Sequence, residues 1–488
     1  MPKLTFKSNY PVSPEELFAW HERADSLLRL TPPWIRTVLK QWEGIRDGCR
    51  TVMQISRGPL SSEWVAMHED YVRGEQFTDY QESGPFQYWR HVHKFDPFGE
   101  SGSQLTDEID FQLKGGNMAE RLASRYVRHQ IERAFAYRHR ITGQDLLVHR
   151  QYNVGRGSLR IGITGASGFV GSELASFFGA GGHKITRIVR RRSSRTGDVY
   201  WDPTTGEIDR SGLEGLDVVI HLAGESIMAL RWNAAKKKRI RESRLQGTRL
   251  LATTLASLKK PPTAFLTASA LGVYGSHGSN VVSESSTLES GGFLSTLTRE
   301  WEAAADPAVK KGIRTVFLRF GIILSPRGGM LKQILPLFSS GLGGSFSPGD
   351  QWMSWISMDD VLGAVYHTMT SSANGPVNVV SPFPLTMQQF ARCLGQVIRR
   401  PAFFRTPSSI VRRALGEVAD EVFLASIKAH PEYLTTSSYQ FLYPQLEGAL
   451  RHLLGREAPK HLELSEISDR RATRAYFHGR GDRGTPEF

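Results

Sequence analysis

The sequence predicts an α/β protein built on a doubly wound parallel sheet. A small mixed or helical domain follows it, and an α+β segment of antiparallel strands precedes it. Three observations carry this expectation. From Ser158 onward, strand-sized apolar runs alternate with helical patterns, as a parallel sheet with crossover helices requires. Before residue 150, many segments alternate apolar with polar residues, the period of half-buried antiparallel strands. Between the two lies "QYNVGRGS" (Gln151 to Ser158), short and glycine-bearing like a linker. The expected divisions are residues 1–150, 158–380, 381–455 and a charged tail at 456–488.

A chain of 488 residues exceeds what one hydrophobic core supports, so several domains are expected. The net charge is +13 and unevenly placed. Residues 1–150 hold twenty Lys and Arg against twenty Asp and Glu, so the whole excess lies beyond them. "RIVRRRSSR" and "RWNAAKKKRIRESR" are its densest runs. No nucleic-acid-binding motif accompanies them, so solvated helix surface and an anionic small ligand fit better than DNA or RNA. No apolar run reaches membrane-spanning length, and no secretory signal is visible at the start. Cys49 and Cys393 stand far apart, which excludes a disulfide framework and fits a reducing, cytoplasmic setting.

In the front segment the strand candidates are "KLTFKSNYPV", "CRTVMQISRG", "SEWVAMHEDYV", "EQFTDYQESG", "QYWRHVHKFDPF" and "SQLTDEIDFQL". Ser13 and Pro14 are cap and first-turn residues for a short helix after the first strand. A long amphipathic helix is expected at about 118–140. This order resembles the helix-grip fold of the START and polyketide-cyclase-like superfamily, and the resemblance implies an apolar ligand between sheet and helix. His91 and His93 fall on one strand face. They read either as a polar pair lining such a cavity or as two ordinary surface or partly buried histidines. Two histidines alone make no metal site, and none is expected.

In the second segment, "LRIGITG", "HKITRIVR", "DVVIHLAG", "TAFLTASA" and "RTVFLRFGIIL" are the strands. A basic helix is expected at about 233–258 and another near 298–311. Past residue 380 the pattern turns helical and mixed, with "TMQQFARCLGQVI", "SSIVRRALG" and "EGALRHLLG". The stretch "RIGITGASGFVGSEL" places glycines between the first strand and a helix. There Gly165 allows a tight turn, Gly168 lets backbone approach a pyrophosphate, and Gly171 permits close helix-to-sheet packing. The helix N-terminus then offers free N–H groups to phosphates. A strand built for NAD ends in an acid that binds the ribose 2′-hydroxyl, but here it reads "TRIVRRRS". Guanidinium groups suit a 2′-phosphate, so NADP(H) is the expected cofactor, with Arg190 first and Arg191 second to hold it.

With "TGASGFVG" go "DVVIHLAGESI", "RWNAAKKKRIRESRLQGTRLL", "TASALGVYG", "EWEAAA", "LRFGIILSPRGGML" and "GDQWMSWISMDDV". Together these resemble the extended short-chain dehydrogenases/reductases, the NAD-dependent epimerase/dehydratase-like group, in an atypical subgroup with its own C-terminal domain. The resemblance implies a Rossmann-like fold. It puts Gly165, Ser167, Gly168, Phe169 and Val170 at the pyrophosphate, and Leu222, Ala223 and Gly224 beside the adenine ribose and pyrophosphate. Ser269 matches the superfamily's active-site serine or threonine. The superfamily's Tyr/Lys pair, four residues apart, should lie in "GGFLSTLTREWEAAA", which has neither residue. Leu294 and Thr298 fall near those positions, the narrower subgroup tends to lack the pair, and Tyr274 is the nearest remaining phenol. Arg244 stands where many relatives have Asn. Glu225 and Ser226 are further pocket candidates. Trp352 and Trp355 read as substrate wall or as packing, and Asp359 as a helix cap. Two functions stay open: an NADP(H)-dependent oxidoreductase or epimerase acting on a small molecule, or a sensor or scaffold that holds NADP(H) without turnover.

Overall fold

In the computed structural model of the chain, the described residues are 3–457, apart from 58, 59, 154, 156, 193, 194, 229, 230, 289, 290 and 347. The expected charged tail lies, from residue 458, outside them. Two compact units form: one runs up to Thr31 and continues over Thr37–Leu147, and the other comprises Pro32–Arg36 with Val148–Glu457.

The first unit contains β1 (Lys3–Tyr10), α1 (Pro14–His21), α2 (Ala24–Leu30), β2 (Arg36–Trp42), β3 (Arg50–Arg57), β4 (Leu60–Val72), β5 (Gln76–Ser83), β6 (Phe86–Phe98), β7 (Gly102–Leu113) and most of α3 (Gly116–Asn153). The Ser13 hydroxyl accepts the Glu16 N–H at 3.2 Å, so the expected cap starts α1. The strands make one sheet in the order β1-β7-β6-β5-β4-β3-β2, antiparallel from β1 round to β3. Trp89, Ile109 and Phe111 of the sheet pack with Ile131 and Phe135 of α3. The helix runs past the expected 140 and takes in the start of the expected linker. The reason is local: Gln151, Tyr152 and Asn153 are all compatible with helix, and the first breaker is Gly155.

In the second unit, β8 (Arg160–Thr164), α4 (Phe169–Ala180), β9 (Lys184–Val189), β10 (Val199–Asp202), β11 (Glu207–Ile208), β12 (Val218–His221), α5 (Ala234–Ala256), β13 (Ala264–Ala270) and β14 (Val281–Val282) come first. Next come α6 (Phe293–Ala303), α7 (Asp306–Lys310), β15 (Arg314–Phe320), β16 (Ile322–Leu324), α8 (Gly329–Ser339), β17 (Gly344–Phe346), β18 (Trp352–Met353), β19 (Trp355–Ser357), α9 (Met358–Thr370) and β20 (Gly375–Val379). The remainder is β21 (Leu385–Thr386), α10 (Met387–Ile398), β22 (Phe404–Thr406), α11 (Ser408–Leu415), β23 (Lys428–Ala429), α12 (Glu432–Thr436) and α13 (Leu446–Leu453).

The main sheet is ordered β11-β10-β9-β8-β12-β13-β15-β20, parallel except for the short edge strand β11. Both faces are covered, so β12 is buried at every position. Val218 and Ile220 point to the α4 and α9 side, and Val219 to the side of α5 and α7. Beyond it, α8, α10 and α13 close a separate core around Leu331, Phe390, Leu394 and Leu450.

Two expected elements are split. The helix near 298–311 is α6 and α7, because Pro307 has no N–H to continue the ladder. "RTVFLRFGIIL" is β15 and β16, broken at Gly321, where a Cβ would stand 2.6 Å from the Ser354 carbonyl oxygen. Among the described residues, no helix is long and apolar enough to cross a membrane.

Candidate dinucleotide site

At the carboxyl end of β8 the strand order reverses, with β9 on one side and β12 on the other. Such a switch point leaves a crevice. The chain leaves β8 through Gly165, whose φ of +67° is the left-handed region that favours glycine. A Cβ there would stand 3.1 Å from the Leu222 carbonyl carbon and the Ala223 nitrogen, so the loop after β12 packs on this turn. Gly168 N–H donates to the Gly165 carbonyl at 2.8 Å and is the N-cap of α4. At Gly171 a Cβ would fall 2.2 Å from the Gly165 oxygen. The helix ladder starts with Ser172 N–H on the Gly168 carbonyl. The amides of Phe169, Val170 and Gly171 therefore precede the ladder, at the positive end of the helix dipole. Ser167, Gly168 and Gly224 are exposed at this end, and Val170 is half-buried. The Phe169 ring lies against Gly328 and Gly329, so its side chain serves packing.

A buried chain of hydrogen bonds fixes the loop after β12. The N–H groups of Leu222 and Ala223 donate to Thr164 Oγ1 at 3.0 and 3.1 Å. That hydroxyl therefore directs its own proton to His221 Nδ1, 2.7 Å away. His221 is thus the Nε2–H tautomer and donates to Thr248 Oγ1 at 3.1 Å, which also receives Trp301 Nε1–H at 2.9 Å. Burial, with Arg244's charge adding to it, holds the His221 pKa down to about 3. The unfolded chain then binds the proton first, so stability is lost as pH falls from the ordinary histidine value toward 3. One such group gives a slope of about 1.4 kcal/mol per pH unit. Denaturant unfolding from neutral to mildly acid pH should show the slope reduced by that amount in His221→Gln; an unchanged slope would count against this assignment.

β9 ends at Val189, and Arg190, Arg191 and Arg192 follow. Arg187 is engaged by Asp198 through Nε at 2.9 Å, and Arg192 donates to Glu207 at 2.9 Å with its guanidinium 4.5 Å from the Tyr200 ring centre. Arg190 and Arg191 are exposed. Arg190 helps lower the carboxyls of Asp202 and Glu225, behind the Thr204 and Lys236 hydrogen bonds that act first on each. Its charge thus reaches Asp202 at the end of β10 and Glu225 in the loop after β12. Arg244 is half-buried behind Gly224, 4.9 Å from the Trp301 ring centre, and donates to the Glu225 carbonyl at 2.9 Å. Glu225 pairs with Lys236 at 2.7 Å, and the exposed Ser226 accepts the Met228 N–H.

Ser269, the penultimate residue of β13, is buried, and its hydroxyl donates to Glu302 at 2.6 Å. Arg319 Nε and Nη2 donate to both Glu302 oxygens at 2.9 Å each. Arg319 Nη1 also donates to the Tyr274 phenol at 2.9 Å, and the phenol donates to Asn378 Oδ1 at 2.8 Å. Tyr274 is 1% exposed, and burial raises its pKa above the ordinary 10.0. A proton-transferring phenol needs the opposite shift. The structure thus gathers Ser269 and Tyr274 into one network, with both hydroxyls engaged. Glu302 and Arg319 were absent from the sequence-based candidates. Their signal was a lone arginine inside the apolar "TVFLRFG", which burial obliges to find a partner.

At the α6 positions expected for the superfamily's pair stand Leu294 and Thr298, and Thr298 Oγ1 only donates back to the Leu294 carbonyl. The Glu421 carboxylate accepts the N–H groups of Phe293 and Leu294 at 2.9 and 3.0 Å, capping α6. Trp355 is buried and donates to the Phe383 carbonyl, while Trp352 is half-buried under Lys428. The expected cap at Asp359 is corrected: Ser357 caps α9, and Asp359 pairs with His452 at 3.1 Å. Serine serves because its short hydroxyl reaches the Asp360 N–H at 3.0 Å from the extended position before the helix.

The NAD dependent epimerase/dehydratase family matches residues 161–380, and DUF1731, a domain of unknown function, matches residues 406–453. An epimerase family protein of Mycobacterium bovis, Mb2239, is 38% identical over 291 residues, which cover 59% of this chain and 96% of that protein. The crystal structure of a nucleoside-diphosphate sugar epimerase from Corynebacterium glutamicum covers 96% of this chain and 93% of its own, at 31% identity and a TM-score of 0.77. Human epimerase family protein SDR39U1 (isoform 2), solved with NADPH, covers 60% of this chain and 99% of its own, at 31% identity and a TM-score of 0.56. The switch-point crevice, its glycine turn and these likenesses converge: the chain belongs to the NAD dependent epimerase/dehydratase family.

Proposed function

We propose that the second unit binds NADP(H) and uses it on a small molecule as an oxidoreductase or epimerase of the extended short-chain type. The observation that carries the cofactor is the pairing of a glycine turn at the strand-order switch with an exposed Arg190 where NAD-binding strands place an acid. When bound, the dinucleotide supplies hydride chemistry. The residues fit it: three amides ahead of the α4 ladder meet the pyrophosphate, and Arg190 meets the 2′-phosphate, with Arg191 beside it. The human relative solved with NADPH supports the same reading. The likeness to the nucleoside-diphosphate sugar epimerase of Corynebacterium glutamicum makes nucleoside-diphosphate sugars the first substrates to try.

Arg190→Asp should weaken NADPH binding about 100-fold, since a charge-assisted contact is lost and a like charge is added, while NADH binding changes little. Nicotinamide fluorescence titration reads both. Equal NADPH affinity in the variant would remove Arg190 from the site, and no binding of either nucleotide by the parent chain would overturn the proposal.

A second reading, a non-catalytic holder of NADP(H), is favoured by Leu294 and Thr298 in place of the Tyr/Lys pair and by the engaged hydroxyls of Ser269 and Tyr274. Loss of nicotinamide absorbance on mixing the NADPH complex with oxidised sugar nucleotides separates the readings. The helix-backed, seven-stranded order of the first unit supports its helix-grip likeness.

A further inference from the structure

The first unit holds a buried cluster that the dinucleotide site does not use. Cross-strand register assembles it: Asp79 of β5 lies opposite His91 of β6, and His93 of β6 lies opposite Asp107 of β7. His139 of α3 closes it. His91 is 2% exposed, His93 7%, Asp107 3% and His139 4%.

We propose that Asp79, His91 and His93 form a binding site for one divalent transition-metal ion, with Asp107 and His139 as its supporting shell. Three observations carry the proposal. First, His91 Nδ1 and His93 Nε2 both converge on Asp79 Oδ2, at 3.0 and 3.3 Å. These separations suit the edges of a tetrahedron whose metal–ligand bonds are about 2.0–2.2 Å. All three ligand atoms lie within 4.8 Å of one another.

Second, the far nitrogens of both rings face a single carboxylate. His91 Nε2 is 3.1 Å and His93 Nδ1 is 2.8 Å from Asp107 Oδ1. The other oxygen of Asp107 meets His139 Nε2 at 2.7 Å, and His139 Nδ1 meets Ser8 Oγ at 2.8 Å. Metal-bound histidines commonly donate the N–H of the second ring nitrogen to a carboxylate, the arrangement His91 Nε2 makes with Asp107 here.

Third, hydrogen bonds alone do not satisfy the cluster. Filling all four contacts to Asp79 and Asp107 with protons needs two imidazolium rings, whose centres are only 3.8 Å apart. Leaving His93 neutral sets a lone pair against a carboxylate. His93 Nδ1 indeed makes no acceptable hydrogen bond despite its short distance to Asp107. A cation on the Asp79 side replaces the two inner protons. Each ring then turns one nitrogen to the ion, and His91 keeps its Nε2 contact with Asp107 at 3.1 Å.

Two histidines and one carboxylate suit Zn²⁺, and the same set as a facial triad suits Fe²⁺. Asp79 is half-buried, unlike the other members, and gives the ion its way in.

The test uses the full-length chain, stripped with chelator and reloaded with Zn²⁺, or with Co²⁺ as a spectroscopic probe. One equivalent of Zn²⁺ should survive gel filtration, and Co²⁺ should show the visible bands of a low-symmetry site. Asp79→Asn and His93→Gln should each abolish retention, and Asp107→Asn should weaken it about 10- to 100-fold. Circular dichroism and NADPH titration identify variants that fold. Because Asp79→Asn is isosteric and at the rim, it is the variant expected to fold in any case. No stoichiometric metal in the parent chain, or undiminished binding in Asp79→Asn, would overturn the proposal.

Discussion

Gly171→Ala is expected to abolish NADPH binding and to lower the stability of the second unit by about 2–3 kcal/mol. The new methyl group would stand 2.2 Å from the Gly165 oxygen and 2.8 Å from its carbonyl carbon. Both are backbone atoms, so no flexible side chain can swing aside. Either α4 retreats from the sheet or the turn opens and loses the bond from Gly168 N–H to the Gly165 carbonyl. Each response displaces the three amides that precede the helix ladder, the groups proposed to meet the pyrophosphate. Gly168→Ala provides a graded comparison, because its Cβ would lie 3.1 Å from the same oxygen and a shift of a few tenths of an ångström relieves it. Fluorescence titration and thermal unfolding of the two variants measure the difference. Tight NADPH binding by Gly171→Ala would show that the close approach of helix and turn is not what forms the site.

The largest loss of stability is expected from Arg319→Leu, about 3–5 kcal/mol. The guanidinium is buried in β15, binds both oxygens of Glu302 and supports the Tyr274 phenol. Removing it leaves Glu302, 14% exposed, with the Ser269 hydroxyl as its remaining donor in the network among the described residues. An uncompensated charge in such a place is costly, whereas an apolar pair of similar volume is tolerated. The double variant Arg319→Leu with Glu302→Leu should therefore recover part of the loss. Denaturant unfolding of the parent, both single variants and the double variant gives the coupling directly. Losses that simply add would mean that the two side chains stabilise the sheet independently.

These residues show where sequence reading reached and where it stopped. The β8 turn was legible because strand, glycine spacing and helix are contiguous, and local sterics alone demand glycine at Gly165 and Gly171. The alternation of strands and helices was legible for the same reason. Partnership across the sheet was not. Arg319 and Glu302 come from β15 and α6, and nothing in either segment names the other. His91 and His93 could be placed on one strand face, but Asp79, Asp107 and His139 reach them through register and through α3. Helix ends were misplaced where competing signals were subtle: helix-compatible residues carried α3 to Asn153, Pro307 separated α7 from α6, and Ser357 rather than Asp359 caps α9.

The cap that Glu421 places on α6 bears on how this protein can be inherited and cut. Glu421 lies inside the stretch matched by DUF1731, and α6 lies inside the stretch matched by the nucleotide-binding family. A gene fragment ending between those stretches would leave the first two amides of α6 facing nothing, on the helix where the wider superfamily keeps its reactive pair. The C-terminal stretch is thus less an appendage than a missing piece of the first, and recombination that separated them would cost the nucleotide-binding stretch the cap on that helix.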